Sequence, residues 1–250
     1  MKALITGASN GLGLDFANKL AKDGYDLVLV ARSRDKLNEL KNKLSKKVNV
    51  DIEIMDLSIK ENVFKLHDKY KDIDLLINNA GFGACGYFNE LDLDNELNMI
   101  DLNVISLHIL TKLYLKDFIK RDSGQILNVA SLAAFEPGPL MATYYSTKSY
   151  VYNLTMAIYE ELRRLKSNVK ISVLCPGPTD TGFNDRAKVK FGVKSLTSDY
   201  VTNYALNKLK KDKLLIIPSL RMRLTVFGIK FIPRKILLNM VYNIQKKKLN

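Results

Sequence analysis

Cysteine and histidine are scarce in this chain, two of each in 250 residues. Cys85 and Cys175 stand far apart with no ligand partners beside them, so free thiols in a reducing compartment are expected, not a disulfide. His67 and His108 are isolated, which predicts structural or solvent-facing roles and no metal centre. No apolar run reaches the roughly 18 residues that suggest a membrane-spanning helix. Met1-Lys2 leads straight into a short strand and a Gly-rich turn, without the apolar stretch and small-residue cleavage site of a signal peptide. A cytoplasmic location is therefore expected. Acidic residues are missing from one region: residues 213–250 hold nine Lys/Arg and no Asp or Glu. Taking those nine from the net charge of +13 leaves +4 for residues 1–212, so the basic excess belongs to the tail. No recognition motif accompanies that charge, and nucleic acid is not expected as a partner.

What is present is a regular alternation of strand and helix, in a chain whose 47% hydrophobic content suffices for one large core. β-rich runs fall at 2–6, 26–31, 50–55, 73–78, 124–131, 170–175 and 214–217. Helical spacing falls between them, at 12–23, 35–46, 61–70, 93–119 (broken near Asn103), 143–165 and 198–209. Runs such as Asp26-Leu27-Val28-Leu29-Val30-Ala31 are nearly continuous in apolar residues, as in strands covered on both faces. The expected fold class is α/β: one doubly wound Rossmann domain, with a seven-stranded parallel sheet flanked by helices. This domain is assigned to residues 1–217, and residues 218–250 to a basic amphipathic helical extension packing on it.

The turn Thr6-Gly7-Ala8-Ser9-Asn10-Gly11-Leu12-Gly13 joins the first strand to the first helix. Gly7 permits a tight exit, Gly11 lets the backbone approach a pyrophosphate, and Gly13 packs helix on strand. The helix N-terminus then offers free N–H groups to phosphates. At the end of the second strand an NAD site would place Asp or Glu against the ribose 2′-hydroxyl. This chain has Ala31-Arg32-Ser33-Arg34 instead, with no carboxylate to repel a 2′-phosphate. Arg32 can grip such a phosphate, with Ser9 and Ser33 as hydroxyl partners, so NADP(H) is expected over NAD(H). Arg34 reads as a solvated charge. Asp56 and Leu57 could border the adenine. Asn79, Ala80 and Gly81 allow close approach to the cofactor, and Asn79 could equally brace strands.

Tyr144 and Lys148 are one helical turn apart and share a face. At about 5 Å and an effective dielectric near 20, an ammonium stabilises a phenolate by about 3 kcal/mol, enough to lower the phenol pKa by about two. Tyr144 is thereby expected to act as general acid/base on a carbonyl or alcohol oxygen. Lys148 can also hold ribose hydroxyls. Ser131, at the end of the fifth strand, can hold the substrate oxygen against Tyr144. Asn103 could place a water behind Lys148. Tyr145, three residues from Lys148 instead of four, should turn about 100° away.

These motifs, with Asn78-Asn79-Ala80-Gly81 and Pro176-Gly177-x-x-x-Thr181, resemble the short-chain dehydrogenase/reductase family of the 250-residue type over roughly residues 2–217. The resemblance implies a catalytic tetrad of Asn103, Ser131, Tyr144 and Lys148. It implies that cofactor contacts extend through Asn10 and Leu12 and reach the nicotinamide end at Pro176, Gly177, Thr179 and Thr181. It also implies a homodimer or homotetramer paired through the helices around 104–120 and 148–165. Substrate specificity should then lie in the loops 82–91, 132–143 and 183–196. The second of these is apolar, with Phe135, Leu140 and Met141, which favours an apolar small-molecule carbonyl compound or alcohol over a sugar. The expected activity is NADP(H)-dependent carbonyl reduction or alcohol oxidation. A 3-oxoacyl-thioester reductase is the main alternative, and a non-catalytic NADP(H) sensor the other.

In the tail, Leu220, Leu224, Phe227 and Phe231 recur at helical spacing before Pro233, and Ile236, Leu237, Met240, Val241 and Ile244 after it. Two short basic amphipathic helices are expected. They are read as a cover for the substrate pocket or a subunit interface, with peripheral contact to an anionic membrane surface as the alternative.

Overall fold

The computed structural model describes residues 1–181 and 195–247. In chain order, β1 (Lys2–Thr6), α1 (Gly11–Lys22), β2 (Asp26–Ala31), α2 (Arg34–Leu44), β3 (Val50–Ile54), α3 (Lys60–Lys69) and β4 (Leu75–Asn78) form the first half. The second half holds α4 (Leu93–Ile100), α5 (Leu107–Lys120), β5 (Gln125–Val129), α6 (Ala142–Arg164) and β6 (Lys170–Leu174). After it come the short strands β7 (Thr179–Asp180) and β8 (Leu196–Thr197), then α7 (Ser198–Leu209), β9 (Leu215–Ile216), α8 (Leu220–Gly228) and α9 (Arg234–Lys246).

The sheet has seven strands in the order β3-β2-β1-β4-β5-β6-β9, and every pairing is parallel. The direction of winding reverses between β1 and β4, so the loops leaving their carboxyl ends diverge and open a crevice. Alternate residues along β1 face opposite layers. Ala3 and Ile5 pack with Phe16 and Leu20 of α1, Leu37 of α2 and Val201 of α7. Leu4 packs with Leu66 of α3, Tyr114 of α5 and Leu162 of α6. Helices on both faces explain why β2 reads as one apolar run: five of its six residues are buried.

A buried polar chain ties the second half together. Asn78 Nδ2 donates to Thr111 Oγ1 at 3.0 Å and to Asn128 Oδ1 at 2.9 Å, and Asn128 Nδ2 donates to Thr155 Oγ1 at 3.0 Å. β4, α5, β5 and α6 are thereby held in one register behind the crevice.

The structure departs from the sequence reading at one helix. Residues 93–119 are not broken at Asn103; the helix continues through a wider π turn, Asp101–Ser106, into α5. Such an insertion re-aims side chains without interrupting the backbone ladder. The small β7–β8 pair and a 3-10 turn at Leu132–Phe135 had no counterpart in the sequence pattern. His67 is buried, bonded to Asp117 Oδ2 at 2.7 Å and set edge-on to Tyr114, while His108 contacts the Tyr150 hydroxyl at 2.7 Å on the surface. Neither Cys85 nor Cys175 is in a disulfide, and burial pushes the Cys175 thiol up to about 12. Among the described residues, no helix is long and apolar enough to cross a membrane, and no cluster of His, Cys, Asp or Glu could hold a metal ion.

Candidate active site

The crevice is a cavity of about 770 Å³ running from the β1–α1 turn to the start of α6. Of the expected catalytic and cofactor-binding residues, Gly13 and Asn103 lie outside its lining; Gly7, Ser9, Asn10, Gly11, Leu12, Arg32, Ser33, Asp56, Leu57, Asn79, Ala80, Gly81, Ser131, Tyr144, Lys148, Pro176, Gly177, Thr179 and Thr181 all face it.

At one end the turn after β1 forms a cradle. Gly11 has φ +50°, and a Cβ there would fall 2.8 Å from Thr181 Cβ. A Cβ on Gly13 would lie 2.2 Å from the Gly7 carbonyl oxygen, so its hydrogen is what lets α1 sit on the turn. Asn79 is a brace here as well as a lining residue. Its Nδ2 donates to the Thr6 carbonyl at 2.9 Å, and Thr6 Oγ1 accepts from both Asn79 N and Ala80 N at 2.9 Å. The open, amide-rich turn at the N-terminus of α1 fits a pyrophosphate group.

At the rim, Arg32 Nη1 lies 3.3 Å from Asp56 Oδ2. The expectation that no carboxylate stands beside the end of β2 is therefore corrected, because β3 delivers one from the neighbouring strand. Burial raises the Asp56 pKa, but hydrogen bonds from the Ser58 amide and hydroxyl and from Arg32 outweigh it and hold the group below the usual carboxylate value. Arg32 neutralises this anion and keeps more than half of its side chain in solvent. Lys36 Nζ donates to Asn10 Oδ1 at 2.8 Å, adding a second cation to this rim.

At the other end Ser131, Tyr144 and Lys148 converge. Ser131 Oγ accepts from Ala133 N at 3.1 Å, which caps the 3-10 turn, and its hydroxyl is hydrogen-bonded to Tyr144. Lys148 Nζ donates to the Val129 carbonyl at 3.0 Å and lies 5.9 Å from the centre of the Tyr144 ring. The predicted lowering of the Tyr144 pKa by Lys148 is not what this geometry gives. Burial dominates and raises the phenol to about 12, with the Ser131 bond opposing it. Burial likewise lowers Lys148 to about 8. Burial disfavours both charged forms more than the ammonium can favour the phenolate across this distance.

Asn103 sits in the π turn, and its side chain bonds protein partners. Its Oδ1 accepts from Phe82 N at 3.0 Å, and its Nδ2 donates to Phe82 O at 2.8 Å and to Thr147 Oγ1 at 3.1 Å. The side chain clamps the loop after β4 onto α6. A Cβ added to Gly81 would lie 2.9 Å from Asn103 Oδ1 and 3.4 Å from Lys148 Nζ, which places all three at one point.

Phe82, Leu132 and Ala133, from loops assigned to substrate specificity, face the cavity, but sequence reasoning missed Met55 and Leu102. Their only local signal was an apolar residue beside a polar landmark. Tyr145 was expected to point away, yet it also reaches the cavity wall, buried and bonded to Gln245 of α9. Of the apolar residues expected from the loop at 132–143, Met141 lines the cavity and Phe135 and Leu140 do not. The third specificity loop lies largely outside the described residues, at 182–194.

A doubly wound sheet with a glycine cradle at one end of its crevice and a Ser-Tyr-Lys cluster at the other defines a dinucleotide-type oxidoreductase fold. The family model described as short chain dehydrogenase matches residues 1–197, and the chain belongs to that family of oxidoreductases. It is 35% identical over 171 residues to the very-long-chain 3-oxoacyl-CoA reductase of Rattus norvegicus, an alignment covering 64% of this chain. The chain spans about half of that relative's length, 54%. Among solved structures, a short-chain dehydrogenase from Sphingobium yanoikuyae in complex with NADPH superposes with a TM-score of 0.84 at 28% identity, covering 95% of both chains. A short chain dehydrogenase/reductase from Burkholderia phymatum in complex with NAD gives a TM-score of 0.82 at 25% identity, covering 90% of this chain and 91% of that one.

Proposed function

We propose that this chain is an NADP(H)-dependent reductase of an apolar carbonyl compound, acting also on the corresponding alcohol, with Tyr144 as general acid/base. The observation that carries the reading is the convergence of Ser131, Tyr144 and Lys148 at the apolar end of the cavity that begins at the glycine cradle. Gly7, Ser9, Asn10, Gly11, Leu12, Asn79, Ala80 and Gly81 would hold the cofactor's diphosphate and ribose. Pro176, Gly177, Thr179 and Thr181 would meet its nicotinamide end, and Leu57 its adenine. Arg32 and Ser33 would take a 2′-phosphate, the arginine carrying enough exposed guanidinium to turn toward one.

When bound, the nicotinamide supplies hydride to the substrate carbon or receives it. Tyr144 stays protonated at neutral pH because burial holds its pKa near 12, so it is ready to give its proton to a carbonyl oxygen as the alcohol forms. Ser131 donates to the same oxygen and fixes it against Tyr144. Lys148, held by the Val129 carbonyl, orients toward the ribose hydroxyls and favours the phenolate in the reverse direction. Asn103 acts as a positioning residue through the Phe82 clamp.

A 3-oxoacyl-thioester substrate is the second reading, favoured by similarity to the rat reductase and by the basic tail beside the apolar end. We also propose a homodimer or homotetramer: Ile119 on α5 and Tyr150 and Tyr159 on α6 remain exposed on the helices that family members pair through. The deciding experiment follows NADPH oxidation across apolar ketones, aldehydes and 3-oxoacyl thioesters, with Tyr144→Phe as control. Turnover abolished by the substitution supports the reading and names the substrate class. Tight NADPH binding with no turnover on any of them would favour a sensor.

A further inference from the structure

The inner faces of α8 and α9 are occupied. Met222 and Val226 of α8 pack with Leu132 and Phe135, and a Cβ on Gly177 would meet Met222 at 2.4 Å. Leu237 and Val241 of α9 pack with Ala133, Met141 and Tyr145, and Gln245 bonds the Tyr145 hydroxyl. The tail therefore packs on residues that line the apolar end of the cavity, Ala133, Met141, Tyr145 and Gly177, while no described tail residue lines it.

Its outer face is apolar too. Leu220, Leu224 and Phe227 share one face of α8 at spacings of four and three, and Phe231, in the 3-10 turn Ile229–Phe231 that follows, joins them through its ring contact with Phe227. All four are exposed, Phe227 at 62% and Phe231 at 73%, and α8 buries none of its residues. On α9 a second stripe, Ile236, Met240 and Ile244, runs beside the buried Leu237, Val241 and Gln245 and is also exposed. The core of this chain does not need these side chains. The Phe227 and Phe231 rings meet edge to face with centroids 5.2 Å apart, which keeps them presented as a unit.

The charge around the stripes has one sign. Arg221 and Lys230 stand next to Leu220 and Phe231 in the chain, with Arg234, Lys235 and Lys246 on α9 and Lys247 at its end, and all are exposed. Residues 213–250 contain no acidic side chain. Apolar side chains projecting between long cationic ones match a surface that offers hydrocarbon at one depth and negative charge just above it. A second copy of this face would set like charges against each other with no carboxylate to relieve them.

We infer that α8 and α9 form an interfacial docking surface for an anionic lipid bilayer, lying on the membrane with Leu220, Leu224, Phe227, Phe231, Ile236 and Met240 in the acyl boundary. The apolar end of the cavity then lies directly behind the docked helices. Docking does not depend on the reductase reading, and its test uses no turnover.

The full chain is sedimented with vesicles of phosphatidylcholine alone or of phosphatidylcholine mixed equally with phosphatidylglycerol, at low and high salt. The Phe227→Ser/Phe231→Ser and Arg221→Glu/Lys230→Glu variants are run beside it, with thermal melts to verify folding. Binding is expected with the mixed vesicles and far less with the neutral ones, weakening as salt rises. Each double variant should lower the partition coefficient about tenfold or more, since it removes either the anchors or the attraction. Where one variant does not fold, the other carries the comparison. Failure of the parent chain to bind mixed vesicles, or equal binding by parent and folded variants, overturns the inference. So does light scattering that shows the phenylalanine variant dissociating an oligomer while the parent ignores vesicles, because a second copy would then be the occupant.

Discussion

Lys148 of α6 donates its Nζ proton to the Val129 carbonyl at 3.0 Å, which fixes the ammonium beside the end of β5, two residues before Ser131. The same residue is deeply buried, and its pKa falls to about 8 from 10.5 because charge is costly there.

That burial makes Lys148 a stability liability. The lowered pKa corresponds to a penalty of about 3 kcal/mol on the charged form. Lys148→Met should therefore raise the melting temperature at pH 7 by several degrees while removing the reductase activity proposed above. The sign follows from linkage. Below pH 8 the lysine is charged both folded and unfolded, and the penalty is full. Between about 8 and 10.5 the unfolded chain binds more protons, so the parent gains stability as pH rises and the advantage of Met shrinks. Melts at pH 7 and pH 10 check this; an advantage that grows with pH would contradict it.

Arg32→Ala tests cofactor choice. A lost charge-assisted contact to the 2′-phosphate is worth roughly 1.5–3 kcal/mol. The substitution also leaves the Asp56 carboxylate, now 3.3 Å from Arg32, without its counter-charge at the rim. The ratio of NADPH to NADH affinity, measured by fluorescence titration, should drop at least about tenfold. An unchanged ratio would remove Arg32 from that role.

Gly13→Ala should be severe although Gly13 does not face the cavity. The added carbon would lie 2.2 Å from the Gly7 carbonyl and 2.7 Å from Asn79 Nδ2, both parts of the cradle. Overpacking of this kind costs about 1–3 kcal/mol. Calorimetry should find cofactor affinity reduced more than tenfold and a lower melting temperature. Retained affinity would mean that α1 can shift away from the turn at little cost.

Asn103→Ala removes three hydrogen bonds, two to the Phe82 backbone and one to Thr147 Oγ1. About 2–4 kcal/mol of stability should be lost, or roughly 5–15 °C for a chain of this size. Asn103→Asp keeps the bond from Phe82 N but not the donor to Phe82 O, and should retain part of the stability. A pH–rate profile with an unmoved Tyr144 limb in the Asp variant would fit a positioning role; a shifted limb would place Asn103 in the proton path.

Most of the sheet was legible because its signals are local. A continuous apolar run such as β2, helical spacing such as Leu12, Phe16 and Leu20, and a glycine turn between them need only near neighbours to be read. The Tyr144/Lys148 pair was legible for the same reason, since one helical turn fixes their common face. Asn103 was harder: its place near a helix irregularity was visible, but the π turn and the Phe82 clamp depend on a residue 21 positions away.

The sequence by itself thus determined the order of strands and helices, the position of the cradle and the face shared by Tyr144 and Lys148, all of which follow from backbone periodicity and side-chain type. Tertiary structure decided the rest. It brought Asp56 from β3 to Arg32, joined Gln245 to Tyr145 across 100 residues, and buried Lys148 fully and Tyr144 in part, among neighbours that reverse the expected phenol shift. Those outcomes depend on distance and dielectric between segments remote in the chain, and neither quantity is written in any local pattern.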